Sequence, residues 1–187
     1  MSEPRARLLT TASDLFYSEG LHAVGIDRII ATAGVTRSTL YRHFPGKDDL
    51  LVAYLIQADE AIRERMTTAR TQDASPDDIV RTAAQSIADD IQRTGFRGCA
   101  FLNAAAEYPD AAHPVHQAVL NHRQWFLDTI TELFSATGKP DAEFAAQHFV
   151  MLRDGAMTAG CLTDPKPICE TFLRGVEGLL KYRSSQS

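Results

Sequence analysis

The sequence predicts an all-α fold of about nine helices, arranged as a small three-helix N-terminal head and a larger helical body. Apolar residues recur at helical spacing along the chain, and no run alternates apolar and polar residues as a half-buried strand does. Glycines, prolines and hydroxyl residues divide the apolar segments where helices end and begin. The apolar content of 44% is ordinary for a packed soluble protein, so these 187 residues can form a real core.

The head is predicted to hold three short helices, over about residues 4–18, 26–33 and 36–44. An apolar stripe on the first helix is formed by Leu8, Ala12, Leu15 and Phe16. Gly20 is placed to end that helix in a left-handed conformation. Pro45-Gly46 interrupts the chain after the third helix. We therefore assign residues 1–46 to the head and residues 47–187 to the body.

The body is predicted to hold six helices, over about residues 47–70, 75–95, 98–107, 114–138, 141–162 and 167–182. The second of these has a strong start signal. Ser75 can cap it, Pro76 suits the first helical position, and the acidic residues that follow complement the positive end of the helix. The chain shows no internal repeat and no low-complexity tract.

The net charge of −5 is unevenly distributed. Residues 1–50 carry six Lys and Arg and six Asp and Glu, so this part is neutral. The remaining thirteen basic and eighteen acidic residues lie in residues 51–187, which therefore account for the whole excess. A neutral head with one concentrated basic edge would bind nucleic acid through that edge alone.

The strongest functional signal lies in residues 34–47. Gly34 supplies a turn and Thr36 a hydroxyl cap between one short helix and the next. The second helix and its end carry Arg37, Arg42, His43 and Lys47, with no Asp or Glu among them. Two short helices joined in this way, the second one basic, place a recognition helix in the DNA major groove of helix-turn-helix proteins. A solvated basic face on any helical protein is the alternative, but the turn, the cap and the lack of acids occur together here.

The first turn of the predicted recognition helix holds Arg37, Ser38 and Thr39, where such helices contact base edges. Arginine is the side chain best suited to bidentate contact with guanine. The complete set of predicted DNA contacts is Thr36, Arg37, Ser38, Thr39, Tyr41, Arg42, His43 and Lys47.

The residues after the first turn are expected either to contact DNA phosphates or to pack in the core of the head. Tyr41 and Arg42 lie one turn further along, within reach of phosphate, and Lys47 adds its charge to the positive end of the next helix. Leu40 and Phe44 are four residues apart, so we expect them to face inward and to hold the helix on the head.

At these residues the chain resembles the tetracycline-repressor (TetR) family of bacterial transcription regulators. The matching pattern is AGVTRSTLYRHF at residues 33–44 with KDDLL at 47–51, and the resemblance covers about residues 5–55. One departure is Gly25, where the family commonly has a Ser or Thr that caps the second helix and touches phosphate. The resemblance implies a homodimeric repressor that binds double-stranded operator DNA at an inverted repeat and is released by a small-molecule effector.

The resemblance also implies an effector site in the body. Apolar and aromatic residues are mixed with isolated polar ones between residues 99 and 153, as in an apolar pocket, although an ordinary helical core would look the same. We expect an apolar or amphipathic effector, and we expect the helix over 47–70 to transmit its binding to the head. The predicted ligand-binding residues are Leu55, Ile62, Phe101, Asn103, His122, Trp125, Phe126, Phe149 and Arg153.

The homodimer is expected, from the same resemblance, to form through the last two helices. Small residues at one-turn spacing in the penultimate helix support this, because an exposed helical glycine costs about 1 kcal/mol unless another helix approaches closely. Packing of these helices on the body alone is the alternative. The predicted interface residues are Gly155, Ala156, Ala159, Gly160, Phe172, Val176 and Leu179.

Other functional classes have less support. No phosphate loop, nucleophile elbow or HExxH motif indicates an enzyme, and the separated histidines predict no metal or other cofactor. The N-terminus lacks the apolar run of a signal peptide, so a cytoplasmic location is expected. Cys99, Cys161 and Cys169 agree with a reducing compartment, and a thiol-based redox-sensing regulator is the alternative within the regulator class.

Overall fold

The computed structural model describes residues 3–70, 74–138 and 140–181. Within these residues the chain forms nine helices and no strand. They are α1 (Glu3–Glu19), α2 (Ile26–Ala33), α3 (Arg37–His43), α4 (Lys47–Arg70), α5 (Pro76–Gln92), α6 (Ala100–Glu107), α7 (Pro114–Ala136), α8 (Ala142–Ala159) and α9 (Pro165–Lys181). The all-α prediction is confirmed.

The helix boundaries follow the local signals in the sequence. Gly20 ends α1 at a φ of 100°, as its position predicted. Ser75 caps α5 by accepting a hydrogen bond from the backbone N–H of Asp78 at 3.2 Å. The last helix begins at Pro165, two residues before the predicted start, because proline is tolerated in the first turn. Its predicted end at Tyr182 lies outside the described residues.

The chain packs into two compact units. The first unit comprises residues up to 61 together with 100–121, and the second unit comprises residues 62–99 together with those from 122 onward. The boundary predicted after residue 46 was drawn by expected role and not by packing, and it stays a prediction. Helices α4 and α7 each begin in the first unit and end in the second.

In the first unit, α1 packs on α2 and α3 through buried apolar side chains. The predicted stripe on α1 is confirmed, since all four of its residues are buried. Leu40 and Phe44 of the α3 segment are also buried, as predicted, and the Arg5 guanidinium lies over the Phe44 ring at 4.9 Å. Burial of these side chains holds the short α3 in place, because seven residues form no stable helix in isolation.

In the second unit, α9 packs on α5 and α8. Their core includes aromatic contacts of Phe149 with Phe172 and Phe134, whose ring centroids are 5.9 and 6.2 Å away. Gly175 allows α9 to approach α8, because a Cβ at that position would lie 3.0 Å from Leu152 Cδ1. Within the described residues, no helix combines the length and apolar character needed to cross a membrane.

Candidate nucleic-acid interface

The turn between α2 and α3 is built around Gly34. Its φ of 62° lies in the left-handed region, and its N–H bonds back to the carbonyl of Ala31 at 3.4 Å. The N–H of Val35 bonds to the Ile30 carbonyl at 3.2 Å, which completes a glycine cap of the kind that ends many helices. A side chain at residue 34 would strain this backbone, so the turn that positions α3 depends on the glycine.

Thr36 caps α3, as the sequence predicted. Its Oγ1 accepts from the backbone N–H of Thr39 at 3.1 Å and lies 2.9 Å from Thr39 Oγ1. The two hydroxyls are therefore hydrogen-bonded to each other at the N-terminal end of the helix, where backbone N–H groups favour an anion such as phosphate.

The face of α3 that points away from the core is polar and accessible. Arg37, Ser38, Tyr41 and Arg42 are exposed, and Thr39 and His43 are half-buried. Tyr41 is a large aromatic side chain with 45% of its surface exposed, although Leu40 beside it is fully buried. Four of the predicted contact residues on α3 are thus accessible, and the contacts of the whole set with DNA stay a prediction.

Arg37 forms an ion pair with Asp27 of α2. Both side chains are exposed, at 54% for the arginine and 80% for the aspartate, so the pair is screened by water. Sequence analysis placed Arg37 at a base edge and did not anticipate this partner. The contact places the guanidinium beside an acid of the preceding helix.

Lys47 has a partner in the loop between α1 and α2. Its Nζ donates to the carbonyl of His22 at 3.3 Å. Partial burial lowers the pKa of Lys47, although the nearby carboxylates of Glu107 and Asp48 act in the opposite direction. The ammonium therefore stabilises the loop between α1 and α2 in addition to its predicted role at phosphate.

Glu107, which sequence analysis did not single out, holds the same loop from the other side. Its carboxylate accepts from the backbone N–H groups of Leu21 and His22, at 2.9 and 2.6 Å. The His22 ring bonds to the Glu107 carbonyl at 2.8 Å and stacks on Tyr108 with centroids 4.5 Å apart. These partners are more than eighty residues apart in sequence, so no local pattern could have revealed them.

The second unit contains a cavity of about 440 Å³. Its walls are largely apolar and come from α4, α5, α7 and α8. Of the residues predicted to bind ligand, Ile62, Phe126 and Arg153 line it. The other six are not among its lining residues, and Leu55, Phe101 and Asn103 belong to the first unit.

The remaining three predicted ligand residues surround the cavity lining without forming part of it. His122 is 2% exposed and stacks on Phe126 with centroids 6.1 Å apart, which fits a core histidine. Trp125 packs against the Arg63 guanidinium at 4.0 Å, and Phe149 is fully buried in the core. Helical spacing in the sequence could not show which apolar residues pack in the core and which line the cavity.

Arg153 is the buried charge of the second unit, with 5% of its surface exposed. Its Nη1 donates to Asp154 Oδ1 at 2.8 Å, its Nη2 donates to Cys99 Sγ at 3.2 Å, and Nε has no hydrogen-bond partner among the described residues. Burial by itself lowers the pKa of Arg153, but Cys99 and Asp154 outweigh it, so the pKa is raised. The guanidinium is therefore charged.

The sequence matches the model of the family described as "Bacterial regulatory proteins, tetR family" over residues 8–54. SCO4454, a TetR-family transcriptional regulator from Streptomyces coelicolor with a known crystal structure, is 63% identical to this chain. The match covers 99% of this chain and 98% of that one, with a TM-score of 0.95. This chain belongs to the TetR family.

Two curated relatives agree with this membership. The HTH-type transcriptional regulator YjdC of Escherichia coli (strain K12) is 22% identical over 181 residues, which cover 95% of this chain and 94% of that protein. The HTH-type transcriptional activator FasR of Mycolicibacterium smegmatis is 45% identical over 53 residues, 28% of this chain and 24% of that protein. The chain is therefore a DNA-binding transcriptional regulator with a helix-turn-helix head, and its relatives are regulators.

Several residues predicted to lie between TetR-family protomers are instead buried within this chain. Ala156, Phe172 and Val176 are 6%, 2% and 1% exposed, so they have little surface to offer a partner, and their assignment to the interface stays a prediction. Gly160 faces α5 of its own chain, where an added Cβ would lie 2.5 Å from Ile91 Cγ2. The close helix approach that glycine permits is thus internal.

Other predicted interface positions do reach the surface of α8 and α9. Gly155 is exposed, and a Cβ built there would have no heavy atom within 4 Å. Ala159 and Leu179 are half-buried, and Leu179 lines a second cavity of about 200 Å³ beside Phe144. Sequence analysis missed the exposed apolar side chains of this region, which are Phe144, Met151 and Leu162 at 59%, 70% and 78% exposure.

The three cysteines are free thiols in separate surroundings. The Sγ of Cys169 donates to the Ala88 carbonyl, and the Sγ of Cys161 donates to the Met157 carbonyl, both at 3.4 Å. Desolvation raises the pKa of both thiols, which lowers the fraction of reactive thiolate. Neither of these two thiols is therefore activated, and they do not favour a redox-sensing role. In the described part of the chain, no group of His, Cys, Asp and Glu side chains could hold a metal ion.

Proposed function

We propose that this protein is a homodimeric repressor that binds an inverted-repeat operator in the cytoplasm and is released by a small apolar or amphipathic effector. The observation that carries the proposal is the largely apolar cavity of about 440 Å³ in the second unit, in a chain whose head is a DNA-binding domain. Ligand sites are typically cavities of this size, with apolar walls and a few fixed polar groups.

The dimer is proposed to form through the exposed side of α8. Phe144, His148, Met151 and Gly155 follow one another at spacings of four, three and four residues, which places them on one helix face. Two of them are large apolar side chains with more than half of their surface exposed, and such patches mark association sites. Two-fold symmetry of the protein would be mirrored in the operator, with half-sites about one helical turn or a multiple of it apart.

The proposal of a regulator without enzymatic activity rests on the relatives. Transcription regulators make up the relatives described above.

Reciprocal binding tests the regulatory proposal. Amphipathic small molecules that raise the melting temperature are titrated against the protein with and without operator, and operator is titrated with and without each molecule. An effector binds the DNA-free conformation more tightly, so each ligand should weaken the binding of the other by the same factor, about 5- to 150-fold.

A pair of matched variants tests whether the ligand that weakens operator binding occupies the cavity. Ile87→Trp adds volume at a residue that lines the cavity, whereas Ile79→Trp adds it two turns earlier on α5 at a residue outside the lining. We expect only the first variant to lose ligand binding while operator binding is kept. Ligands that bind equally well with and without operator would overturn the proposal.

A further inference from the structure

The cavity has a charge balance that no helical pattern in the sequence reveals. Asp154 gives one carboxylate oxygen to Arg153 and the other to Arg123, each at 2.8 Å. Two guanidinium groups therefore share one carboxylate, which leaves one positive charge in excess. Arg123 is partly exposed, so water hydrates its charge. Arg153 is 5% exposed and lines the cavity, so its positive charge is the poorly hydrated one.

The Arg153 guanidinium also has hydrogen-bonding capacity that the protein does not use. The Nε–H has no partner among the described residues, and the Nη2 contact is to the sulfur of Cys99, which is a weak acceptor. A buried charged donor without a partner is unfavourable, and in native proteins it usually indicates a water, an ion or a ligand that completes the site.

Two carboxylates also line the cavity and would repel an anion that lay close to them. Asp90 is paired with Arg65 at 2.9 Å and lies 3.6 Å from Arg93, so its charge is balanced. Glu64 is exposed and screened by water. The side chain in the cavity lining that combines burial with a charge is Arg153.

The apolar part of the lining lies close to Arg153. Ile62, Met66, Ile87 and Met157 contribute aliphatic or thioether surface, and Phe126 places its ring 5.1 Å from the Arg153 guanidinium carbon. A ligand that filled this space would contact mostly apolar atoms along its length and one cationic group. That combination complements an amphipathic anion.

We propose that the effector is an apolar carboxylic acid or a related amphipathic anion, whose negative group is bound by Arg153 and whose apolar body fills the cavity. This inference rests on the proposed effector role of the cavity and names the chemistry of the molecule that occupies it. Aliphatic and aromatic acids share that chemistry, and the experiment distinguishes between them.

A ligand series on the wild-type protein gives the first test, by isothermal titration calorimetry without DNA. Decanoate, 1-decanol and decylamine share a chain and differ in the charge of the head group, and 2-naphthoate with 2-naphthalenemethanol supplies an aromatic pair. We expect each carboxylate to bind at least about tenfold more tightly than its alcohol. The guanidinium donor is charged in both cases, but only the carboxylate acceptor is also charged, and this strengthens the hydrogen bonds by about that factor. Decylamine should bind most weakly of the aliphatic three.

Two arginine variants test whether the preference for carboxylate over alcohol depends on Arg153. Arg153→Met removes the cavity charge while keeping an extended side chain, and it leaves Asp154 paired with Arg123. Arg81→Met is the matched control, since Arg81 also contacts two carboxylates, Asp78 and Glu177, but does not line the cavity. The preference for carboxylate over alcohol should disappear in the first variant and persist in the second.

The outcomes separate this inference from the proposed function. Tighter binding of the alcohols or the amine, no binding of either carboxylate up to its solubility limit, or an unchanged preference in Arg153→Met would each overturn it. If Arg153→Met does not fold, the wild-type series decides alone. If a carboxylate bound in an Arg153-dependent way but left operator affinity unchanged, the anion preference of the cavity would stand and the proposed effector release would be contradicted. If an uncharged ligand released the operator, effector release would stand and the proposed anionic chemistry of the effector would be contradicted.

Discussion

On α3, Arg37 and Tyr41 are exposed to water, whereas in the second unit Arg153 is 5% exposed and touches side chains from two segments outside its own helix. The recognition helix is assembled from neighbours in sequence. Thr36 caps the helix three residues before Thr39, and Arg37 pairs with an acid ten residues earlier. Arg153 meets Cys99 across 54 residues. A surface made of local contacts can be recognised from a short pattern, but a buried site made of distant contacts cannot.

The largest effect is expected from a change in the exposed face of α8. This change tests whether one head binds the operator tightly when the protein does not dimerise. Met151→Asp places a charge on an exposed apolar side chain, which should produce monomers in analytical ultracentrifugation. A monomer contacts one half-site, so operator affinity should fall toward the non-specific range, roughly 1,000-fold. Leu120→Asp, at an exposed leucine of α7, is the control and should remain dimeric. A dimeric Met151→Asp protein with wild-type affinity would exclude this face.

Replacement of Arg37 tests whether the exposed arginine reads bases. Arg37→Ala should weaken operator binding by about 1–3 kcal/mol and relax the preference at one base pair in each half-site. Lys47→Ala should weaken binding to all sequences alike and lower the slope of affinity against salt by about one unit. Both are measured by fluorescence anisotropy on operator and random duplexes at several salt concentrations. Unchanged affinity and slope in both variants would contradict the assigned surface.

The Glu107 contacts test whether the head, despite its local motif, depends on a distant residue. Glu107→Ala removes the acceptor of the Leu21 and His22 N–H groups, which should cost about 1–2 kcal/mol of folding free energy. The melting temperature should fall by about 2–4 °C for each kcal/mol. Glu60→Ala, at an exposed residue of α4, should change it little. Equal melting temperatures for the two variants would show that the loop is held by other contacts.

The Asp27–Arg37 pair is expected to compete weakly with DNA for the guanidinium. Asp27→Asn keeps the shape of the side chain and removes a negative charge from the DNA-facing edge, so operator affinity should rise by up to about fivefold at low salt. The gain should shrink as salt increases, because both side chains are exposed. Weaker operator binding by Asp27→Asn would instead show that the aspartate orients Arg37 for its base contact.

Gly25 offers the smallest expected change. The residue caps α2 without a side-chain hydrogen bond at a φ of −86°, and a Cβ there would have no heavy atom within 4 Å. Gly25→Ser should therefore fit without strain and stabilise the protein by a few tenths of a kcal/mol. It should also tighten binding to all DNA sequences slightly if the hydroxyl reaches phosphate. Chemical denaturation and anisotropy measure the two effects, and Gly25→Ala controls for the added Cβ.

Local signals were sufficient for the secondary structure and for the recognition helix. The bounds of α2 and α4 match their predicted ranges, and the cap at Thr36, the turn at Gly34 and the inward Leu40 and Phe44 were all anticipated. These features depend on backbone geometry and on contacts a few residues apart. The family pattern lies in the same stretch, at residues 8–54.

The tertiary structure alone decided which side of each body helix meets the core, the cavity or solvent. Small and apolar residues on α8 could serve either a dimer or the core, and only packing showed that Ala156 and Gly160 face inward while Met151 faces out. The same holds for Arg153, whose partners come from α7 and from the segment before α6. Helical periodicity specifies that a residue lies on an apolar stripe. What covers that stripe depends on distant segments of the chain.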